Sequence, residues 1–184
     1  MKRCEIILAG IGGQGLLVSG LILGDAAAIN EKMYAVQIES YAPLARGGSS
    51  NSDIVISDEE IRYPRIERAD VLVALADSSY REHRDRVRED GVIIFNSNGG
   101  EIPCDDPRVV AIPLKDIAVK ATKKPITISM AALGLIPHLT DLVSFKSIKL
   151  SIAKKSPAGT ADLNIAAAEA GNAAAADYLK SMEA

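Results

Sequence analysis

Residues 5–15 read Glu-Ile-Ile-Leu-Ala-Gly-Ile-Gly-Gly-Gln-Gly. A short apolar run at 6–9 leads into Gly10, Gly12, Gly13 and Gly15, and a helical pattern over 14–30 follows at once. Such a run, bounded by glycines, is a strand buried on both faces. Glycines permit positive φ and let a ligand approach the main chain. The helix behind them offers unpaired N–H groups and the positive end of its dipole. Together these make a place for a phosphate or carboxylate.

Outward from this stretch, residues 34–38 form a second strand and 39–50 a loop. Residues 52–57 alternate as a strand and 58–60 turn. The segment 61–66 is extended around Pro64, 71–76 is a buried strand and 78–88 a charged helix. Residues 92–95 form a strand that ends at the turn Asn96-Ser97-Asn98-Gly99-Gly100, and 109–112 form another. After Pro113 the pattern is helical, over 114–122, 127–139, 144–153 and 162–180. Strands alternating with helices predict a three-layer α/β/α sandwich. Its sheet is mixed and mostly parallel, because no clear helix joins the second and third strands. A helical C-terminal part completes one domain over residues 1–184. Gly20 and Gly24 lie inside the first helix, which predicts close packing of that helix on a neighbour.

The chain is 48% hydrophobic with net charge −3, and its aromatics are five Tyr, two Phe and no Trp. The core is therefore aliphatic, and a nucleic-acid partner is excluded by the absence of a basic surface. The run Arg81, Arg84, Arg86 and Arg88 is offset by Glu82, Asp85, Glu89 and Asp90, which reads as a solvated helix face. A signal peptide and a membrane span are both missing, so the cytoplasm is expected. Cys4, Cys104, His83 and His138 have no metal-ligand spacing, and two cysteines are too few to hold an iron–sulfur cluster. No metal site and no catalytic acid–base pair is expected in this chain.

Gly10-x-Gly12-x-x-Gly15 also satisfies the dinucleotide-binding fingerprint, with Glu39 near the place of a ribose-binding acid. A small reductase is thus one reading. A phosphate-hydrolysing loop is not, since no Gly-Lys-Ser/Thr follows. A second constellation is Ser40-Tyr41 with Arg46-Gly47-Gly48-Ser49-Ser50, whose two final serines offer hydroxyls. Arg46 offers a charged fork suited to carboxylate or phosphate. Both glycine-bearing segments leave the ends of early strands, where open α/β sheets hold their ligands, so the two are expected to converge. The candidate site is Gly12, Gly13, Gln14, Gly15, Ser40, Tyr41, Arg46, Gly47, Gly48 and Ser49. Outside it, Asp77-Ser78-Ser79 is read as a helix cap, His138 as a helix-end residue, and Asn164 as a cap or packing residue near the start of the last helix.

The sequence resembles the gamma subunit of 2-oxoacid:ferredoxin oxidoreductases. The resemblance rests on Gly10-Ile-Gly12-Gly-Gln-Gly15, Ser40-Tyr41 with Arg46-Gly47-Gly48, Ile54-Val-Ile-Ser57 and Ala69-Asp70-Val-Leu-Val-Ala-Leu75. Ala132-Leu-Gly134 and Asp162-Leu-Asn164 fit as well. The glycine segment is more similar to 2-oxoglutarate-type than to pyruvate-type chains. Ala42 and Leu44 depart from the Gly and Glu often found there, and Ser129 stands near the place of a frequent Asn. The resemblance implies a multisubunit enzyme that converts a 2-oxoacid and coenzyme A to acyl-CoA, carbon dioxide and reduced ferredoxin. It implies alpha, beta and delta partner subunits that carry thiamine diphosphate and the iron–sulfur clusters, with ferredoxin as acceptor. It places coenzyme A on the side of this chain, which is not active alone and is open to pairing with itself when isolated. A scaffold module, whose helical tail docks a partner and whose glycine turn is structural, is the remaining alternative.

Overall fold

The computed structural model describes residues 2–12, 14–41 and 49–183, with main chain alone at 41, 179 and 181–183. Strand β1 (Arg3–Ile11) lies inside a six-stranded sheet. The other strands are β2 (Tyr34–Tyr41), β3 (Ser49–Ser57), β4 (Ala69–Ala74), β5 (Val87–Asn96) and β6 (Val109–Ile112), in the order β2-β3-β1-β4-β5-β6. Strands β1, β4, β5 and β6 pair in parallel, and β3 is antiparallel to both β1 and β2. The sheet is mixed as expected, with β3 inserted between the first two strands of the chain.

Alternate residues of the central strands bury on opposite faces. Ile6, Leu8, Ile54, Ile56, Val71, Val73 and Ile94 join one core, and Ile7, Ala9, Val55, Leu72, Ala74, Ile93 and Phe95 the other. The first core is covered by α1 (Leu16–Asp25), α3 (Leu114–Thr122), α4 (Ile128–Leu133), α5 (Ile136–Leu139), α6 (Phe145–Lys155) and α7 (Ala161–Glu183). The second is covered by α2 (Asp77–His83), whose Tyr80 packs edge-on to Phe95, and by Ile61 and Ile66.

Small residues bring the helices together. Gly134 follows α4 and Gly171 lies in α7, and a Cβ on either would run into the other segment's main chain, at the Ala168 or Ala131 carbonyl. Gly20 seats α1 on β2 and β3, because a Cβ there would strike Ser52 Oγ and the Gln37 amide. Gln37 Nε2 donates to Ser52 Oγ at 2.8 Å and to the Leu17 carbonyl at 3.1 Å, which ties α1 to the two strands. Gly24 differs from the expectation, since a Cβ there meets nothing within 4 Å.

Other differences have local causes. The first helix closes in a wider π-helical turn, Ala26–Asn30. The charged run is not one helix face: α2 stops at His83, and Arg86 and Arg88 turn inward to pair with Asp53 and Asp70 at 2.6 and 2.7 Å. Strand β5 begins at Val87 because that residue is buried. Ala76, with no side-chain hydrogen bond, occupies the cap position of α2; Asp77 instead pairs with Arg81 along the helix. The Asn96–Gly100 turn is more than punctuation. Asn96, 2% exposed, donates to the Leu75 carbonyl at 3.1 Å and accepts from the Lys115 N–H at 3.3 Å, linking β4, β5 and α3. His138 Nε2 meets Asn172 Oδ1 at 3.0 Å, and Asn164 donates to Ser156 Oγ at 3.0 Å near the start of α7.

Two stability outcomes follow from this packing. Gly134→Ala forces a methyl into main chain and is expected to cost about 1–3 kcal/mol or more. Gly24→Ala, in open space within a helix, is expected to stabilise by about 0.5–1 kcal/mol. Urea unfolding of both variants checks the pair; a Gly134→Ala midpoint at the native value contradicts the packing. Separately, Arg108 hydrogen bonds hold the Asp106 carboxyl at about 2, below its ordinary 3.8. A depressed carboxyl stabilises the fold above its unfolded pKa and loses that contribution as pH falls through the folded value. Between about pH 5 and pH 2 the native protein is therefore expected to lose about 2 kcal/mol more than Asp106→Asn, read from urea unfolding at each pH.

Candidate functional site

The site grows from the end of β1. Beyond Ile11 the chain turns at Gly12, and Gln14 Oε1 accepts the Ile11 N–H at 2.8 Å. The Gln14 carboxamide folds back over Gly10, where a Cβ would collide with it. Its carbonyl therefore braces the turn. Gly15 then takes φ 77°, a left-handed conformation, at the cap position of α1. It provides no side-chain cap, and no acid lies in the first helical turn. The leading amides of α1 and the positive dipole end are left available to an anion. Behind Gly15, Ser129 Oγ would lie 3.1 Å from an added Cβ, and that hydroxyl is buried without a hydrogen-bond partner among the described residues.

The sheet register places this turn beside the second constellation. Ser50 of β3 pairs with Gly10 on one side and with Tyr41 on the other, so β1 and β2 end at the same rim. A cavity of about 210 Å³ at that rim is lined by Gly12, Gln14, Gly15 and Leu16 together with Glu39, Ser50 and Asn51. Gly13, Arg46, Gly47 and Gly48 lie outside the described residues, and Tyr41 is described by its main chain. The described ends of both segments, Gly12, Gln14 and Gly15 with 40–41 and 49–50, lie at one rim.

The serines divide by face. Ser40 pairs with Asn51 and lines a different cleft, on the α2 side of the sheet. Ser49 donates to Glu82 Oε2 on α2 at 2.5 Å. Ser50, part of the second constellation but not among the candidate site residues, faces the glycine turn in their place. The strand period of two carries that signal: Ser50 and Ser52 share the face of α1 and Ser49 takes that of α2, while Asn51 lines both cavities. Glu39 belongs to β2 rather than to a loop. Cys4 is buried, and burial pushes its thiol up to about 12, which leaves no nucleophile there. Among the described residues no group of three or more His, Cys, Asp or Glu could hold a metal ion, and no helix is long and apolar enough to cross a membrane.

A mostly parallel α/β sheet with a glycine turn and an uncapped helix at its carboxyl rim defines a domain of the open α/β class. Residues 5–174 match the family described as Pyruvate ferredoxin/flavodoxin oxidoreductase, and the chain belongs to that family. Among its relatives is the 2-oxoglutarate synthase subunit KorC of Methanocaldococcus jannaschii, 39% identical over 168 residues, with 90% of each chain covered. The subunit of the same name from Methanothermobacter marburgensis is 35% identical, with 92% of this chain and 95% of that one covered. The keto/oxoacid ferredoxin oxidoreductase gamma subunit of Geobacter sulfurreducens superposes with TM-score 0.82 at 30% identity, covering 95% of this chain and 99% of that one. The 2-oxoglutarate:ferredoxin oxidoreductase of Magnetococcus marinus, solved with 2-oxoglutarate, coenzyme A and succinyl-CoA bound, has TM-score 0.83 at 24% identity. It covers 96% of this chain and 32% of that one, a likeness of fold. The gamma-subunit resemblance drawn from the motifs is borne out.

Gly15→Ala places a methyl in a left-handed residue against Ser129 and is expected to cost about 1–2 kcal/mol. Gln14→Ala, which removes the brace on the exposed Ile11 N–H, is expected to cost about 1 kcal/mol or less. Urea unfolding orders the two; a Gly15→Ala protein as stable as the native one contradicts the geometry of the turn.

Proposed function

We propose that this chain is the gamma subunit of a 2-oxoglutarate:ferredoxin oxidoreductase complex in the cytoplasm. The complex converts 2-oxoglutarate and coenzyme A to succinyl-CoA and carbon dioxide, passing two electrons to ferredoxin. Alpha, beta and delta subunits carry thiamine diphosphate and the iron–sulfur clusters. This chain supplies a surface for the anionic part of coenzyme A and contacts for assembly. The observation that carries the reading is the uncapped start of α1 behind Gly15, at the rim where β2 also ends and β3 begins.

The residues fit a phosphate group. The cavity of about 210 Å³ is smaller than the roughly 300–1,000 Å³ of sites that enclose whole ligands. It suits one phosphate or a pyrophosphate, with the rest of the molecule outside it. Main-chain N–H groups of the glycine turn and of the opening of α1 hold the charge, apart from the Gln14 N–H, which donates to the Ile11 carbonyl at 3.4 Å, and Arg46 adds a guanidinium. Coenzyme A, when bound, supplies the thiol that accepts the acyl group; this chain binds and orients it.

Strand order disfavours the dinucleotide-binding alternative. In that fold the second strand lies directly beside the first. Here antiparallel β3 separates β2 from β1, so Glu39 is carried one strand further out.

The test is reconstitution. The chain alone is expected to show no 2-oxoglutarate-dependent reduction of ferredoxin, and the chain with its alpha, beta and delta partners to show it. Arg46→Ala in the assembled complex is expected to raise the KM for coenzyme A about tenfold with kcat little changed. Activity of the isolated chain, or an inactive assembled complex, would refute the assignment. An unchanged KM in Arg46→Ala would favour the scaffold alternative.

A further inference from the structure

On the α2 side of the sheet, away from α1, a cleft of about 610 Å³ opens beside the ends of β2 and β3. It is large enough for a small-molecule ligand. Its polar lining can be accounted for group by group. Asp53 Oδ2 accepts from Arg86 NH2 at 2.6 Å and its Oδ1 from Asn51 Nδ2 at 2.6 Å. Glu82 accepts from Ser49, and Glu39 also has a partner. Every acid in the lining is thus engaged.

The donors are not. Arg65 is exposed and, like Ser40, has no side-chain partner among the described residues. His83 is 4% exposed, and its Nε2 is buried with no hydrogen-bond partner. The Arg86 guanidinium sits 3.3 Å from His83 Nδ1. A guanidinium only donates, so Nδ1 accepts. Burial lowers the His83 pKa and keeps the ring neutral, so the hydrogen is on Nε2. Glu82 Oε1 lies 3.9 Å from that nitrogen, beyond hydrogen-bond reach. The cleft therefore holds a buried N–H, a hydroxyl and a guanidinium, all lacking acceptors among the described residues, beside carboxylates that are already engaged. A buried donor left unmade is costly.

We infer that this cleft is a second ligand site and binds an oxyanion, a carboxylate or phosphate group, through Arg65, Ser40 and the His83 Nε2–H. Asp53 and Arg86 position the imidazole and set its tautomer. Glu39 and Asn51 line both this cleft and the cavity at the glycine turn, but Arg65, Ser40 and His83 line this cleft alone of the two, so the inference does not depend on the role proposed for that turn.

The test is amide NMR of the full chain titrated separately with inorganic phosphate, 2-oxoglutarate and coenzyme A. At least one probe is expected to move the signals of Ser40, Arg65 and His83 in a saturable way at millimolar concentration. Arg65→Ala is expected to weaken that binding about tenfold while leaving any response of Gly12, Gly15 and Leu16 intact. His83→Gln, which keeps an N–H, is expected to bind more tightly than His83→Ala. Arg65→Ala, at an exposed position, carries the test if the His83 variants do not fold. Which probe binds separates a carboxylate from a phosphate source. No saturable response at Ser40, Arg65 and His83 with any probe, or a response that Arg65→Ala leaves unchanged, overturns the inference. A failure of the glycine-turn reading would show instead at Gly12 and Leu16.

Discussion

The pairing of β3 with both β1 and β2 is the constraint on which the rest of the molecule depends. Ile54, Val55 and Ile56 of this strand are fully buried, alternately on the two faces. A slip of one residue would expose each set to the wrong side. The register is therefore held tightly, and it aligns Gly10, Ser50 and Tyr41 across three strands. Because β3 runs against its neighbours, the start of β3 meets the ends of β1 and β2. The seating of Gly20 over Ser52 and Gln37 then fixes α1 relative to that rim.

One strand start serves two cavities as a result. Ser50 turns toward the glycine turn, and Ser49 turns toward α2. On the first side the acceptor-seeking groups are main-chain amides of an uncapped helix. On the second they are side chains, ordered by the Asp53–Arg86–His83 series. The two sides hold unsatisfied donors by different means. Ala131, Ala132, Ala167 and Ala168 are buried where α4 and α7 meet at main-chain distance.

Much of this was legible in the residues. The apolar run before the glycines, the helix over 114–122 and the strand over 109–112 stand where the pattern placed them. That β1 and β2 end at one rim was also readable, because both glycine-bearing segments leave strand ends. What escaped depends on contacts distant in sequence. Strand β1 extends back to Arg3 because Glu5 is held by Arg3 and its N–H by Asp70. Strand β5 starts inside a charged run because Arg86 and Arg88 find Asp53 and Asp70 across the fold. His83 looks like a surface residue among charges, and only the packing of α2 shows it to be buried. The face chosen by Ser40 and Ser49 could not be read before the register of β3 was known.

The central claim is that the amides opening α1 hold the anionic part of coenzyme A at this rim. Hydrogen exchange in the assembled complex, with and without coenzyme A, measures it most directly. The account predicts slower exchange at residues 14–18 and 49–51 when coenzyme A is present. Unchanged exchange at 14–18, with protection confined to other parts of the chain or to other subunits, would contradict it.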